Sequence, residues 1–259
     1  LSTGLAALGY GLARRIFRSA RAGLLAVAFL SAMPLYAAGA MLMTIDPPFV
    51  LAWALACLFL ARVAERQTDL AWYPVGLALG LGLLSKYTML MLLPCVLLWL
   101  LRAPRLRAWL VRRGPYEAAL IGLLCFSPVL VWNARHGWLS GRHVLGQATG
   151  GGERPLTAAL LGGFEFLGSQ IGLVSPLIFL LLVAGVLWAW REGRRPGQEA
   201  VLLLACLSIP VFLFFQLWGF FWKVQGNWAA HAYFPAALAA AGWCESWSRR
   251  ASKSRRDRR

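Results

Sequence analysis

The sequence predicts an all-α protein, a polytopic transmembrane helical bundle of about seven to nine membrane segments. Hydrophobic residues make up 59% of the 259 residues and charged residues 14%, and the mean hydropathy is +0.63. Soluble domains have about 45–50% apolar and about 25% charged residues. The apolar residues lie in runs, several of them near the roughly 20 residues that cross a bilayer, and no run alternates as a strand would. This composition excludes a soluble enzyme, a disordered chain and a disulfide scaffold.

The apolar runs follow one another along almost the whole chain. Residues 1–13 are too short to span a bilayer and end at Arg14-Arg15, so we interpret them as the remnant of a truncated helix. The membrane-embedded domain is predicted over 14–244 and is expected to be incomplete at its N-terminus. Its runs are 22–43, 45–61, 72–84, 87–101, 118–132, 167–190, 200–217 and 228–243. Residues 245–259 are predicted to be a basic cytoplasmic tail, disordered from Arg249 onward.

Basic residues divide the breaks between the runs into two sets. Segments 14–21, 62–71, 102–115 and 191–198 and the tail hold 21 of the 26 Lys and Arg residues, and the other breaks hold five. Because short cytoplasmic loops collect Lys and Arg, the first set is predicted to be cytoplasmic. The short runs 72–84 and 87–101 then leave from and return to that side. They are predicted to form a hairpin of two short helices with Lys86 at its tip.

The opposite face is predicted to carry the chemistry. It contains segment 44–48, the Ser85-Lys86 tip, a long loop over about 133–166 and segment 218–227, which together present basic, aromatic and amide groups. These groups suit an anionic, sugar-bearing ligand, or an interfacial aromatic belt with scattered charges. Lys86 is either a functional cation at membrane depth or a side chain that snorkels to the interface. Asp46 is a candidate site carboxylate and a candidate N-cap of a helix with Pro47 at its first position, and the two roles can coexist.

No metal or nucleotide site is predicted. The three His residues lack HxxxH or HExxH spacing, and the five Cys residues lack CxxC spacing. The run Gly150-Gly151-Gly152 precedes no P-loop lysine, and no G-x-G-x-x-G unit is present, which disfavours a soluble nucleotide-sugar donor. A divalent metal remains possible but has no supporting motif, and nucleic acid is not an expected partner.

Seven groups of segments together resemble the bacterial membrane glycosyltransferases of the protein O-mannosyltransferase-like group, within the GT-C class. The segments are RRIF at 14–17 with RAGLL at 21–25, TIDPP at 44–48, GLGLLSKYT at 80–88, GPY at 114–116, WNARHGW at 132–138, Gln170 with Ser175-Pro176, and GNWAAHAY at 226–233. They occur in the family's order and cover nearly the whole chain. Relatives include the aminoarabinose and galacturonic acid transferases of lipopolysaccharide. Two departures are an acidic outer loop that the family places before Leu1, and Ala229 where family members often have Pro.

The resemblance implies transfer of a sugar from a polyprenyl-phosphate donor to a lipid, glycan or protein acceptor, on the periplasmic side of the bacterial inner membrane. The partners are then membrane lipid, the lipid-linked donor and the acceptor. The resemblance implies a catalytic role for Asp46, with the main general base in the upstream loop. It implies that the donor phosphate and sugar are bound by Lys86, Tyr87, Arg135, His136, Lys223, Asn227 and His231. The competing interpretation is a transporter or flippase for a lipid-linked sugar, which should show paired inverted halves that this sequence lacks.

Overall fold

The computed structural model describes residues 1–42, 44–149 and 155–256. In these residues the chain forms twelve α-helices joined by short connections, four of which contain 3₁₀ turns, and no strand. The helices are α1 Ser2–Phe17, α2 Ala20–Ala32, α3 Pro34–Met41, α4 Asp46–Arg66, α5 Tyr73–Ser85, α6 Leu92–Arg102, α7 Gly114–Arg135, α8 Leu139–Thr149, α9 Leu156–Val174, α10 Pro176–Glu192, α11 Glu199–Phe221 and α12 Tyr233–Arg256. The predicted all-α bundle is confirmed.

Fewer helices are long enough to span a bilayer than the predicted seven to nine segments. Among the described residues, four helices combine sufficient length and apolarity, namely α4, α7, α9 and α11. The bent pair α2 and α3, whose axes differ by 72°, makes a fifth if it counts as one span. The other predicted segments correspond to shorter apolar helices such as α5 and α6, or to helices with polar ends such as α12. The chain is therefore a membrane protein whose bundle mixes full-length and short helices.

The segments rich in Lys and Arg meet at one end of the bundle, which we call the basic end. Arg15 Nε donates to Glu65 Oε1 at 2.9 Å, which joins the end of α1 to the end of α4. Ser19 Oγ donates to Glu245 Oε1 at 3.0 Å, and Arg112 lies 3.1 Å from Asp69. Glu192 lines the same polar cavity as Arg15 and Glu65. The tertiary structure thus gathers segments 14–21, 62–71, 102–115 and 191–198 in one place.

The predicted hairpin is present as α5 and α6. It leaves from the basic end, where Trp72 packs edge-to-face on Trp109 with ring centroids 5.5 Å apart, and it returns there. Small residues let α5 approach α7 closely. A side chain at Gly76 would collide with the backbone of Ala118, and one at Gly80 would collide with Cys125. This packing fixes the tip of the hairpin relative to α7.

The structure differs from the prediction in the long outer loop, which contains helices, and in the run that follows it, which is interrupted. Residues 139–149 and 156–174 are helical, and the run over 167–190 is interrupted at Ser175, where φ is +72°. The interruption separates α9 from α10, which continues to Glu192 at the basic end. Pro176 cannot donate a helical hydrogen bond, so it begins a new helix rather than extending α9. The triple glycine 150–152 lies outside the described residues.

Helix α9 follows the end of the bundle opposite to the basic end, which we call the outer end. Gly163 lies against Phe220 and Phe166 against Gly219, both near the end of α11, and Ser169 lies against Gly226. Helix α7 ends at the outer end, and α10 ends with Glu192 at the basic end. If α9 also crossed the bundle, α10 would start at the basic end and Glu192 would lie at the outer end. The length and apolarity of α9 are therefore those of a span, but its contacts are those of a helix lying across the outer end.

Helix α12 continues through Arg249 to Arg256, and residues 257–259 of the predicted tail lie outside the described residues. Arg249 Nε donates to Glu245 Oε1 at 2.8 Å, one helical turn earlier, and Arg21 Nη1 donates to Ser248 Oγ at 2.7 Å. Such i,i+4 pairs support the helical conformation beyond the apolar part of the sequence.

Candidate functional site

Three of the predicted site residues meet at the outer end of the bundle, and we call Asp46, Lys86 and Asn227 the outer cluster. Lys86 Nζ donates to Asp46 Oδ1 at 2.7 Å, and Asn227 Nδ2 donates to Asp46 Oδ2 at 2.7 Å. The Lys86 side chain is 13% exposed and that of Asp46 is 21% exposed. Residues separated by 40 and 181 positions therefore share one half-buried carboxylate.

The local sequence places each member of the outer cluster at an element boundary. Asp46 is the first residue of α4. The two prolines that follow it lack an N–H group, but N–H groups in the first turn of a helix have no partner within the helix, so nothing is lost. Lys86 follows the last residue of α5, where its N–H donates to Gly82 O at 2.8 Å and its backbone becomes extended. Asn227 opens a 3₁₀ turn over 226–232 that leads into α12.

The geometry does not support the N-cap interpretation of Asp46. The N-cap position is occupied by Ile45, without a side-chain cap, and Asp46 N–H donates to Thr44 Oγ1 at 3.4 Å. Both carboxylate oxygens of Asp46 accept hydrogen bonds from Lys86 and Asn227 instead of from the helix backbone. Asp46 is thus a member of a side-chain cluster and does not cap α4. Lys86, for its part, is held by Asp46 and does not extend freely toward the interface.

Buried polar residues hold the 3₁₀ turn that carries Asn227. Gln170 of α9 is 2% exposed, and its Nε2 donates to Gly226 O at 3.0 Å. Tyr233 Oη donates to Gln170 Oε1 at 2.8 Å, and Tyr36 Oη donates to Ala230 O at 2.9 Å. Gln170, Tyr233 and Tyr36 were not among the predicted site residues. A signal was present, because Gln170 is an amide within an apolar run, but only the fold shows what it contacts.

His231 lies beneath the outer cluster. It is fully buried, and its ring packs edge-on against Phe49 and Trp53 with centroid distances of 4.7 and 4.4 Å. Lys86 Nζ lies 5.8 Å from the centroid of the same Phe49 ring. His231 therefore packs beneath the ring on which Lys86 lies, and direct contact with a donor sugar or phosphate remains a prediction.

The other predicted residues lie around the outer end without a described contact to the outer cluster. Tyr87 packs edge-to-face on Phe126 of α7, with ring centroids 5.6 Å apart. Arg135 ends α7 and is exposed, and His136 stacks on Trp132 with ring centroids 4.4 Å apart. Lys223 is exposed in the segment between α11 and the 3₁₀ turn. Their predicted binding roles remain predictions.

An apolar cavity of about 400 Å³ adjoins the outer cluster. Asp46 and Asn227 form part of its wall. The rest of the wall comes from α1, the bend between α2 and α3, and α4, and includes Leu5, Leu30, Leu35, Tyr36 and Val50. A charged group at the edge of an apolar cavity suits an amphipathic ligand with a polar head and a hydrocarbon chain.

The described residues contain no group of three or more His, Cys, Asp or Glu side chains arranged to hold a metal ion. The outer cluster has a single carboxylate, and a cation, Lys86, already occupies one of its oxygens. Its donors suit an anion better than a divalent metal, because Lys86 and Asn227 both present N–H groups.

Comparison with known proteins shows which protein family this chain is related to. Residues 2–132, which include Asp46 and Lys86, match the family described as dolichyl-phosphate-mannose-protein mannosyltransferase. Lipid A galacturonosyltransferase RgtD of Rhizobium johnstonii is 30% identical over 188 residues, which are 72% of this chain and 38% of that relative. No solved structure matches. The resemblance drawn from the sequence motifs is confirmed, and the chain belongs to the dolichyl-phosphate-mannose-protein mannosyltransferase family.

Proposed function

We propose that this protein takes part in glycosyl transfer at the outer end of its bundle. The sugar passes from a polyprenyl-phosphate donor to a lipid, glycan or protein acceptor on the periplasmic side of the bacterial inner membrane. The observation that carries the proposal is the outer cluster, in which Asp46 holds Lys86 and Asn227 beside an apolar cavity. The family match and the lipid A galacturonosyltransferase relative support a membrane glycosyltransferase.

Lys86 is proposed to stabilise the leaving phosphate. Negative charge grows on the polyprenyl phosphate as its bond to the sugar breaks, and a fixed cation in a half-buried site lowers the energy of that state. The ammonium has three donors, and Asp46 takes one of them, so others are left for phosphate oxygens. Asn227 offers a second N–H beside the same position.

Asp46 is proposed to position Lys86 rather than to act as the general base. Both oxygens of Asp46 already accept hydrogen bonds, one from Lys86 and one from Asn227. Taking the proton of an acceptor hydroxyl would compete with these bonds. The acceptor hydroxyl then loses its proton to another carboxylate, outside the outer cluster.

The apolar cavity is proposed to receive hydrocarbon from a lipid-linked substrate. It lies where α1 and the α2–α3 bend meet α4, so a chain within it would end beside Asp46 and Asn227. In this arrangement a phosphate head would lie near N–H donors and its hydrocarbon chain near leucines. Arg135, His136 and Lys223 are proposed to meet the sugar or acceptor from the exposed surface of the same end.

The test measures sugar transfer in membranes that contain the protein, using a panel of radiolabelled polyprenyl-phosphate sugars that includes galacturonic acid. Lys86→Ala is expected to reduce turnover at least about tenfold, a loss of about 1.4 kcal/mol. Lys86→Arg should retain part of the activity because it keeps the charge. Arg142→Ala is the matched control, since it removes an exposed cation of α8 and should have little effect.

Two outcomes would contradict the proposal. Full activity of Lys86→Ala at normal protein levels would remove the phosphate role of Lys86. Movement of unreacted lipid-linked sugar across the membrane, with no transfer to any acceptor, would support the flippase interpretation instead.

A further inference from the structure

Two arginines at the basic end share one aromatic ring, and we call Arg102, Trp190 and Arg194 the Trp190 patch. The Arg102 guanidinium carbon lies 4.6 Å from the centroid of the Trp190 ring, and that of Arg194 lies 5.3 Å from it. Arg102 ends α6, Trp190 lies in the last turn of α10, and Arg194 follows that helix. The patch therefore joins two helices that are far apart in sequence.

The two guanidinium groups of the Trp190 patch are not neutralised by the described part of the chain. In these residues, neither Arg102 nor Arg194 forms an ion pair with a carboxylate. Arg112 differs, because it also lies over an indole, that of Trp109, but it pairs with Asp69. Two like charges beside one ring repel each other, and an anion that contacts both would relieve the repulsion.

Rows of exposed apolar residues lead to the Trp190 patch along both helices. On α6 the row ends one residue before Arg102, and on α10 it ends one turn before Trp190. Their members are Leu93, Leu97 and Leu101 on α6, and Leu177, Leu180, Val183 and Leu187 on α10. The spacing of three and four residues keeps each row on one helix face. The patch thus lies where apolar, lipid-facing surface gives way to the polar basic end.

We propose that the Trp190 patch is a binding site for the phosphate of an anionic phospholipid. Arginine matches phosphate oxygens with paired N–H donors, and tryptophan is favoured at the membrane interface. The apolar rows distinguish a lipid headgroup from a free phosphate, because they lie where acyl chains would continue from the bound phosphate. Basic clusters at this depth bind anionic lipids through the same interactions. The site lies at the end opposite to the outer cluster and does not depend on the proposed transfer reaction.

The test is native mass spectrometry of the full chain in a nonionic detergent, titrated with phosphatidylglycerol and with phosphatidylcholine of the same acyl composition. Phosphatidylglycerol should bind at least about fivefold more tightly, the contribution of one arginine near a membrane surface. The pair Arg102→Gln with Arg194→Gln should abolish the preference. Arg195→Gln is the matched control, because Arg195 pairs with Glu192 and should leave the preference intact.

The remaining outcomes would each overturn the proposal. Equal affinity for the two lipids in the unaltered protein would show that no anion site exists. An equal loss in Arg195→Gln would show a general effect of net charge. Displacement of the lipid by inorganic phosphate at the same concentration would indicate a phosphate site without a lipid component.

If the double variant does not fold, the exposed Arg194→Gln alone should still reduce the preference about fivefold.

Discussion

One carboxylate is shared by two donors at the outer end. Asp46 accepts from Lys86 and Asn227, and the side chains of the ion pair are only 13% and 21% exposed. Removing the carboxylate charge would leave a half-buried ammonium without its partner, which costs about 1–3 kcal/mol or more for a charged group. This penalty makes the pair testable by stability as well as by turnover.

We predict that Asp46→Asn lowers the thermal unfolding midpoint in detergent and that Asp46→Asn combined with Lys86→Met recovers much of the loss. The double variant removes both charges, so no ammonium remains unpaired. Asp69→Asn is the matched control, because its pair with Arg112 is 44% and 37% exposed and contributes about 0–1 kcal/mol. Additive effects of the two substitutions at the outer cluster would show that Asp46 and Lys86 are not coupled.

At the scale of elements, the hairpin tip is positioned by the close contact of α5 with α7. Gly80 faces Cys125 where the helices cross, and Gly122 of α7 faces Leu79 in return, with a Cβ at 122 lying 2.8 Å from Leu79 Cδ2. Because Lys86 directly follows α5, six residues after Gly80, any separation of these helices also moves the outer cluster.

We predict that Gly80→Ala lowers the unfolding midpoint and reduces turnover together, since overpacking costs about 1–3 kcal/mol and displaces α5. Gly168→Ala in α9 is the matched control, because a methyl group there meets no atom within 4 Å. Adding Cys125→Gly to Gly80→Ala should restore part of both properties by removing the atoms that collide. A midpoint for Gly80→Ala no lower than that for Gly168→Ala would argue against tight packing at this crossing.

The whole molecule is polar at both ends, but the two ends differ in charge. Arg-rich segments meet at the basic end, and the outer cluster lies at the other. The basic end is predicted to be cytoplasmic because Lys and Arg collect in short cytoplasmic loops. Val111 is 88% exposed at the basic end, and Gly141 of α8 is exposed beyond the end of α7.

We predict that single cysteines at Val111 and Gly141 are labelled by a membrane-impermeant maleimide from opposite sides of intact inner-membrane vesicles. The background replaces Cys57, Cys95, Cys125, Cys206 and Cys244, which are buried or partly buried. Val111→Cys should react only from the cytoplasmic side. Labelling of both positions from one side would contradict the topology.

The sequence by itself determined the class of this protein, its helical composition, its family and which segments lie together at its basic end. Those properties follow from local features: apolar runs require internally hydrogen-bonded helices in a membrane, and clusters of arginine mark particular loops. The short hairpin could also be predicted, because charge placement required runs 72–84 and 87–101 to return to the same end. Asp46, Lys86 and Asn227 were recognised one by one from their motifs.

Only the tertiary structure decided that those three residues share one carboxylate. Their contacts join residues up to 181 positions apart in the sequence, and no local sequence pattern predicts a contact over such a separation. It likewise decided that α9 lies across the outer end, although its apolar sequence is that of a span. The composition of α9 indicates only that the helix is apolar enough to enter a membrane. Its orientation is set by contacts with α11 and with the 3₁₀ turn over 226–232. Those contacts exist only once the bundle has assembled. The sequence could therefore predict the helices, whereas their arrangement and the grouping of Asp46, Lys86 and Asn227 depend on the fold.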